Sequence, residues 1–160
     1  SACLVGSEMC IETDILVAPI LNDEGIAEYY VPEGKWTDII TGKVLEGGKW
    51  YKHKCSYFEI PALAKPNSII AYGNFERQIE YDYLEGTTFT IYELEDGKSA
   101  VCPIYDTEAN KVFELTATRH GNKIECEYTD TKASFKIAVA NTDKTVEIAP
   151  NFSGKVIIEL

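Results

Sequence analysis

The stretch that most constrains this chain is residues 26–50, IAEYYVPEGKWTDIITGKVLEGGKW. It begins as an alternating apolar run and breaks at Pro32, Glu33 and Gly34, where a leading proline and a close glycine have the composition of a type I or type II turn. It restarts through Trp36 and turns tightly at Thr41 and Gly42. It turns again at Gly47 and Gly48, which read as a hairpin turn because glycine takes positive φ at little cost. From Trp50 to Lys54 aromatic and basic residues alternate, as on a half-exposed strand. Two-residue periods broken by glycine turns do not suit a helix, so the stretch predicts a small antiparallel sheet stapled by its two tryptophans.

The same grammar continues on both sides. Residues 14–20, DILVAPI, form a nearly continuous apolar run closed by a proline, which reads as a strand buried on both faces. A polar turn at residues 22–25 follows it. An extended segment is expected to start at Tyr57 and run through Ala64, with a turn at residues 65–68 and an end in residues 69–73, IIAYG. Around residues 74–79 the chain becomes a polar connector, the candidate domain boundary. Beyond it, strands are expected at 80–84, 87–94, 98–104, 111–118, 123–128, 134–140, 145–149 and 155–160. Strands about every ten residues, parted by Gly, Asp and Asn turns, predict an all-β chain of two small antiparallel β-sandwich domains in tandem, residues 14–74 and 75–160. Only the residues before Asp14 leave room for a short helix.

Composition excludes several classes of function. At 45% hydrophobic and 26% charged the chain has a folding composition, and a net charge of −11 argues against nucleic acid or an anionic membrane surface as partner. No apolar run reaches the roughly eighteen residues of a transmembrane helix, and no basic segment leads into an apolar one, so a cytoplasmic protein is expected. The five cysteines, Cys3, Cys10, Cys55, Cys102 and Cys126, are odd in number and lack CxxC spacing, which favours reduced thiols. His53 and His120 have no ligand partner at metal spacing, so neither metal nor cofactor is expected.

No catalytic residue is assigned either. Glycoside hydrolysis needs two carboxyl groups facing one bond. Here Glu93, Glu95 and Asp96 border a turn, and Glu114, Glu125 and Glu127 fall on outward strand positions, where each reads as surface charge. There is no GxSxG elbow, and Gly86, Gly97 and Gly121 are isolated turn glycines rather than a phosphate cradle. Exposed aromatic rings can stack on sugars, and Tyr29, Tyr30, Trp36, Trp50, Tyr51, Tyr57, Phe58, Tyr72, Tyr81, Tyr83 and Tyr92 are the pool to draw on. Trp36 and Trp50 are the weak substrate-binding candidates, and packing is the preferred reading for both.

Three segments in order carry a resemblance: DILVAPI, then EGIAEYYVPEGKWTDIITGKVLEGGKW, then the run ending PNSIIAYG. Together they resemble the C-terminal portion of glycoside hydrolase family 31, whose pattern there is an apolar strand and a phrase of the form YLPEGxWxxxxTGExxxGG. The second half, with FTIYELEDGKSAVCPIYD and VFELTATRHGNKIECE, is similar to the distal C-terminal domain of the bacterial α-xylosidases in that family. The resemblance implies retaining α-glycosidases with a (β/α)8 catalytic barrel followed by proximal and distal β-sandwich domains. The family's two catalytic aspartates lie upstream of the region matched, and no residue here aligns with them. The expectation is a non-catalytic C-terminal fragment that supports the barrel and the assembly. The alternative is an independent carbohydrate-binding module. Residues 1–13 are expected to be a non-family segment, and apolar faces shaped for the barrel are expected to drive self-association when the barrel is absent.

Overall fold

The computed structural model describes residues 9–11, 14–74, 83–129, 132–151 and 154–160. All the regular structure among them is strand, and the chain divides into two compact units, Ser1–Pro66 and Asn67–Leu160.

The first unit contains β1 (Met9–Ile11), β2 (Ile15–Val17), β3 (Ile26–Val31), β4 (Lys35–Asp38), β5 (Val44–Glu46), β6 (Lys49–Lys54) and β7 (Ala62–Ala64). One sheet runs in the order β1-β2-β7-β4-β5, and β3 pairs with β6 as a separate two-stranded ribbon. Alternation on β3 turns Ala27, Tyr29 and Val31 inward, where they join Leu16, Trp36, Leu45 and Leu63 in one core. The chain passes from the ribbon to the sheet through residues 32–34, makes the β4–β5 hairpin, and returns through Gly47 and Gly48. These two corners lie against each other. The Gly47 N–H donates to the Gly34 carbonyl at 2.7 Å and the Gly48 N–H to the Val31 carbonyl at 2.8 Å. A Cβ on Gly47 would sit 1.7 Å from the Pro32 carbonyl oxygen, so no other residue fits there without moving backbone.

The second unit contains β8 (Ser68–Tyr72), β9 (Thr87–Tyr92), β10 (Ser99–Tyr105), β11 (Lys111–His120), β12 (Lys123–Tyr128), β13 (Phe135–Val139), β14 (Thr145–Ile148) and β15 (Gly154–Glu159). Two four-stranded sheets form, β10-β11-β12-β15 and β14-β13-β9-β8, antiparallel except for the parallel pair β9 and β13. Strict alternation on β11 and β12 buries Phe113, Leu115, Ala117, Ile124, Cys126 and Tyr128 on one face. Across the two sheets Phe113 and Tyr128 meet Phe135 edge-on at 5.1 and 5.2 Å between centroids, and Phe113 meets Phe89 tilted at 5.3 Å. Pro103, which cannot donate to a ladder, sits on β10 at the sheet edge, just before a register shift at Ile104 and Tyr105.

The all-β class and the antiparallel sheets match the sequence reading, and several details differ. Gly47 and Gly48 make a corner between sheets rather than a hairpin, because β5 pairs with β4 while β6 pairs with β3. The extended segment expected from Tyr57 is a turn over residues 56–59, tied by the Ser56 N–H to Glu59 Oε2 at 2.8 Å. The two compact units part between Pro66 and Asn67, and β8 is hydrogen-bonded along its length to β9. The helix considered before Asp14 is, over residues 9–11, a strand paired with β2. The strand expected at 80–84 lies mostly outside the described residues, and Tyr83 and Leu84 are not strand.

Two stability outcomes follow. Gly47→Ala forces backbone apart and costs about 3 kcal/mol or more, while Gly97→Ala, at φ +73 with nothing within 4 Å, costs only about 1 kcal/mol. Phe113→Ala in the aromatic centre of the second unit costs about 3–5 kcal/mol. Denaturant melts of the three variants rank them.

Candidate functional site

The first unit carries a cleft of about 260 Å³ between the ribbon, the β4–β5 hairpin and the loop after β6. Tyr29 and Tyr51, partners across the ribbon, form one wall, stacked with centroids 6.1 Å apart. The Tyr51 hydroxyl donates to the Glu46 carbonyl at 2.7 Å, and the Lys49 ammonium lies 5.4 Å from its ring centroid. Opposite, Asp38 Oδ1 accepts the N–H groups of Ile40 and Thr41, both at 2.9 Å, which fixes the hairpin turn. Burial, assisted by the Asp38 charge, pushes the Tyr29 phenol up to about 12.

This cleft lacks the chemistry of a nucleophile. His53 and Cys55 both line it, but the Cys55 thiol faces the His53 backbone carbonyl at 3.9 Å. Burial, and then the Glu59 charge, pushes that thiol up, away from the thiolate a nucleophile needs. Glu59 is held below the usual carboxylate range by the Ser56 N–H and hydroxyl. Four of the carboxylates considered in the sequence have neighbours that account for them. Lys155 bridges Glu125 and Glu127 across the β12–β15 ladder, Lys111 pairs with Glu114 at 2.8 Å, and the Asp96 carboxylate accepts the Gly121 N–H at 2.6 Å. Among the described residues, no three His, Cys, Asp or Glu side chains gather as a metal site, and no helix is long and apolar enough to cross a membrane.

The aromatic candidates separate sharply. Trp36 is only 5% exposed, and its ring is part of the core, so it has no free face to offer a ligand. Trp50 is 54% exposed on the outer face of the ribbon, where it meets its cross-strand partner Tyr30 edge-on at 5.8 Å. Core packing therefore describes Trp36 and does not describe Trp50. Tyr57 and Phe58 are 96% and 91% exposed at the tip of the loop that borders the cleft. Both rings point outward because residues 56–59 turn. A strand would have sent one of them inward. The signal in the sequence was Ser56 followed three residues later by Glu59, a spacing that favours a local turn.

The fold and the surface together define a pair of small antiparallel β domains in tandem, with apolar side chains on the surface of the first and no catalytic constellation among the described residues. The comparisons place that pair. The profile of the glycosyl hydrolase family 31 C-terminal domain matches residues 4–70, and the C-terminal domain of the α-xylosidase YicI matches residues 82–160. The chain belongs to the C-terminal region of glycoside hydrolase family 31. The first match takes in residues 4–13, which the sequence reading had set outside the family. The α-xylosidase XylQ of Lactiplantibacillus pentosus is 29% identical over 84% of this chain and 18% of its own length. α-Glucosidase 2 of Bacillus thermoamyloliquefaciens is 33% identical over 63% of this chain and 13% of its own. The chain thus spans less than a fifth of these curated relatives. A family 31 dextranase from Flavobacterium johnsoniae has the same fold over 98% of this chain and 27% of its own, with a TM-score of 0.79 at 16% identity.

Burial of ionisable groups gives an alkaline limit. Burial raises the Cys126 thiol from 9.0 to about 12, so the folded state holds that proton more tightly than the unfolded chain. The contribution is complete below pH 9 and is lost as pH rises towards 12. Unfolding of the second unit followed by circular dichroism is expected to ease over that window, with a shallower decline in Cys126→Ala.

Proposed function

We propose that this chain is the non-catalytic C-terminal part of a retaining α-glycosidase that removes terminal α-linked xylose or glucose, and that it supports the catalytic barrel. The observation that carries this reading is the pair Tyr57 and Phe58. Two neighbouring aromatic side chains, in mutual edge contact at 5.3 Å, stand almost wholly in solvent at the tip of a hydrogen-bonded turn. Ile40 and Ile60, 58% and 40% exposed, flank them along the cleft. Rings presented in this way are anchors for a protein surface. The share of the curated relatives left uncovered by this chain is large enough to hold a catalytic domain, the natural owner of that surface. The names of those relatives supply the two sugars.

The division at Pro66 and Asn67 suits such a role. The first unit bears the docking loop, and the second is a self-contained sandwich around its own aromatic centre. Placement of the chain in the cytoplasm belongs to the same reading, as does self-association through the uncovered loop.

Two measurements test it. The purified chain leaves p-nitrophenyl α-xyloside and α-glucoside unhydrolysed, and turnover above the buffer background would defeat the non-catalytic assignment. In sedimentation velocity the chain self-associates with rising concentration, and Tyr57→Ser with Phe58→Ser shifts it towards monomer. A double variant that associates as strongly as the parent chain would remove the docking role from this loop.

A further inference from the structure

We propose a second site on the first unit: the outer face of the β3–β6 ribbon is a platform for a neutral oligosaccharide, centred on Trp50 and Tyr30. The ribbon register places Ile26, Glu28 and Tyr30 on one side of β3, opposite Lys54, Lys52 and Trp50. At one end of this face the Trp50 indole, half of it in solvent, meets the Tyr30 ring at 5.8 Å with an interplanar angle of 62°. The two rings form an angled surface of the kind that accepts the C–H face of a pyranose. Next along the face, Glu28 and Lys52 pair at 3.6 Å. Beyond them an open groove of about 480 Å³ continues between Leu21, Asn22, Glu24, Ile26, Glu28 and Lys52.

The groove wall is built rather than loose. The Asn22 side chain accepts from the Ile26 N–H at 2.8 Å and donates to the Ile26 carbonyl, and the Cys55 N–H donates to the Gly25 carbonyl at 2.8 Å. The loop over residues 22–25 is thus pinned to β3 and to Cys55, the residue that follows β6.

Charge selects the class of ligand. Glu24 and Glu28 are balanced on this face by Lys52 and Lys54, so it offers donors and acceptors with no net charge. In a chain of net charge −11, a neutral patch combining aromatic faces with hydrogen-bonding ends complements a polyhydroxyl molecule. It matches neither a phosphate backbone nor a peptide charged throughout with one sign. A cross-strand aromatic pair also stabilises a ribbon. That contribution does not require the groove that continues past the ion pair, and the groove is what distinguishes a platform from a staple.

The two tryptophans make the test direct. Trp36 is buried and Trp50 exposed, so acrylamide quenching of fluorescence reports on Trp50. The full chain is titrated with maltotriose, isomaltotriose and xylotriose. At least one sugar is expected to blue-shift the emission and protect Trp50 from quenching in a saturable way. Calorimetry is then expected to give binding at least about tenfold weaker in Trp50→Ala. The double variant Glu28→Gln with Lys52→Met, which keeps both rings, weakens it similarly. Absence of saturable protection with all three sugars overturns the proposal, as does unchanged affinity in a natively folded Trp50→Ala. Should Trp50→Ala fail to fold, unchanged affinity in the double variant overturns it equally.

Discussion

The first unit depends on one contact between two turns. Residues 32–34 carry the chain from the ribbon to the five-stranded sheet, and Gly47 with Gly48 carries it back. If the β4–β5 hairpin is to sit in one layer while β3 and β6 remain partners in another, both crossings must leave from the same end of the ribbon. They must then pass at backbone distance. The Gly47 N–H to Gly34 carbonyl bond and the collision any Cβ on Gly47 would have with Pro32 are what that requirement looks like in atoms. The spacing PEG followed by GG, which carries the family resemblance, is therefore a packing rule. Its glycines are there because two corners occupy one place.

The same geometry explains why identical local sequence has opposite outcomes. The tripeptide Gly-Lys-Trp occurs at residues 34–36 and again at 48–50. The first copy enters the sheet and buries its indole beside Leu16 and Leu45, and the second enters the ribbon and leaves its indole in solvent. Nothing within either tripeptide distinguishes them. The difference comes from the strand each copy pairs with, β5 and β7 for the first and β3 for the second. That choice is non-local, so the sequence alone does not tell the two indoles apart.

Elsewhere legibility followed strand length and amphipathicity. On β11 and β12 six or more residues alternate between core and solvent, and the expected runs at 111–118 and 123–128 lie within the observed strands. β5 is only three residues long and lies between two glycine turns, too short for a period to show. β7, Ala-Leu-Ala, is buried throughout and has no alternation, and it forms the end of the extended run expected from Tyr57 to Ala64. The early end of the first unit has a similar cause. β8 looks like a continuation of the segment before it, and only its ladder with β9 reveals that it belongs to the second sandwich. The site was legible in residue type and obscure in direction: Tyr57, Phe58 and Trp50 stand out as aromatics in the sequence, but their exposure depends on a turn and on a sheet change.

The two surfaces proposed on the first unit do not compete, because a strand has two faces. Tyr29 and Tyr30 are neighbours on β3 and must point opposite ways. Tyr29 looks into the cleft beside the Tyr57 loop, and Tyr30 lies on the outer face with Trp50. On β6 the same rule sends Tyr51 and His53 to the cleft and Trp50 to the platform, with only Lys52 bordering both. A protein docked over Tyr57 and Phe58 would cover the cleft face of the ribbon and leave its outer face in solvent. The ribbon can thus join a larger body on one side and meet a sugar chain on the other, and loss of either function need not carry the other with it.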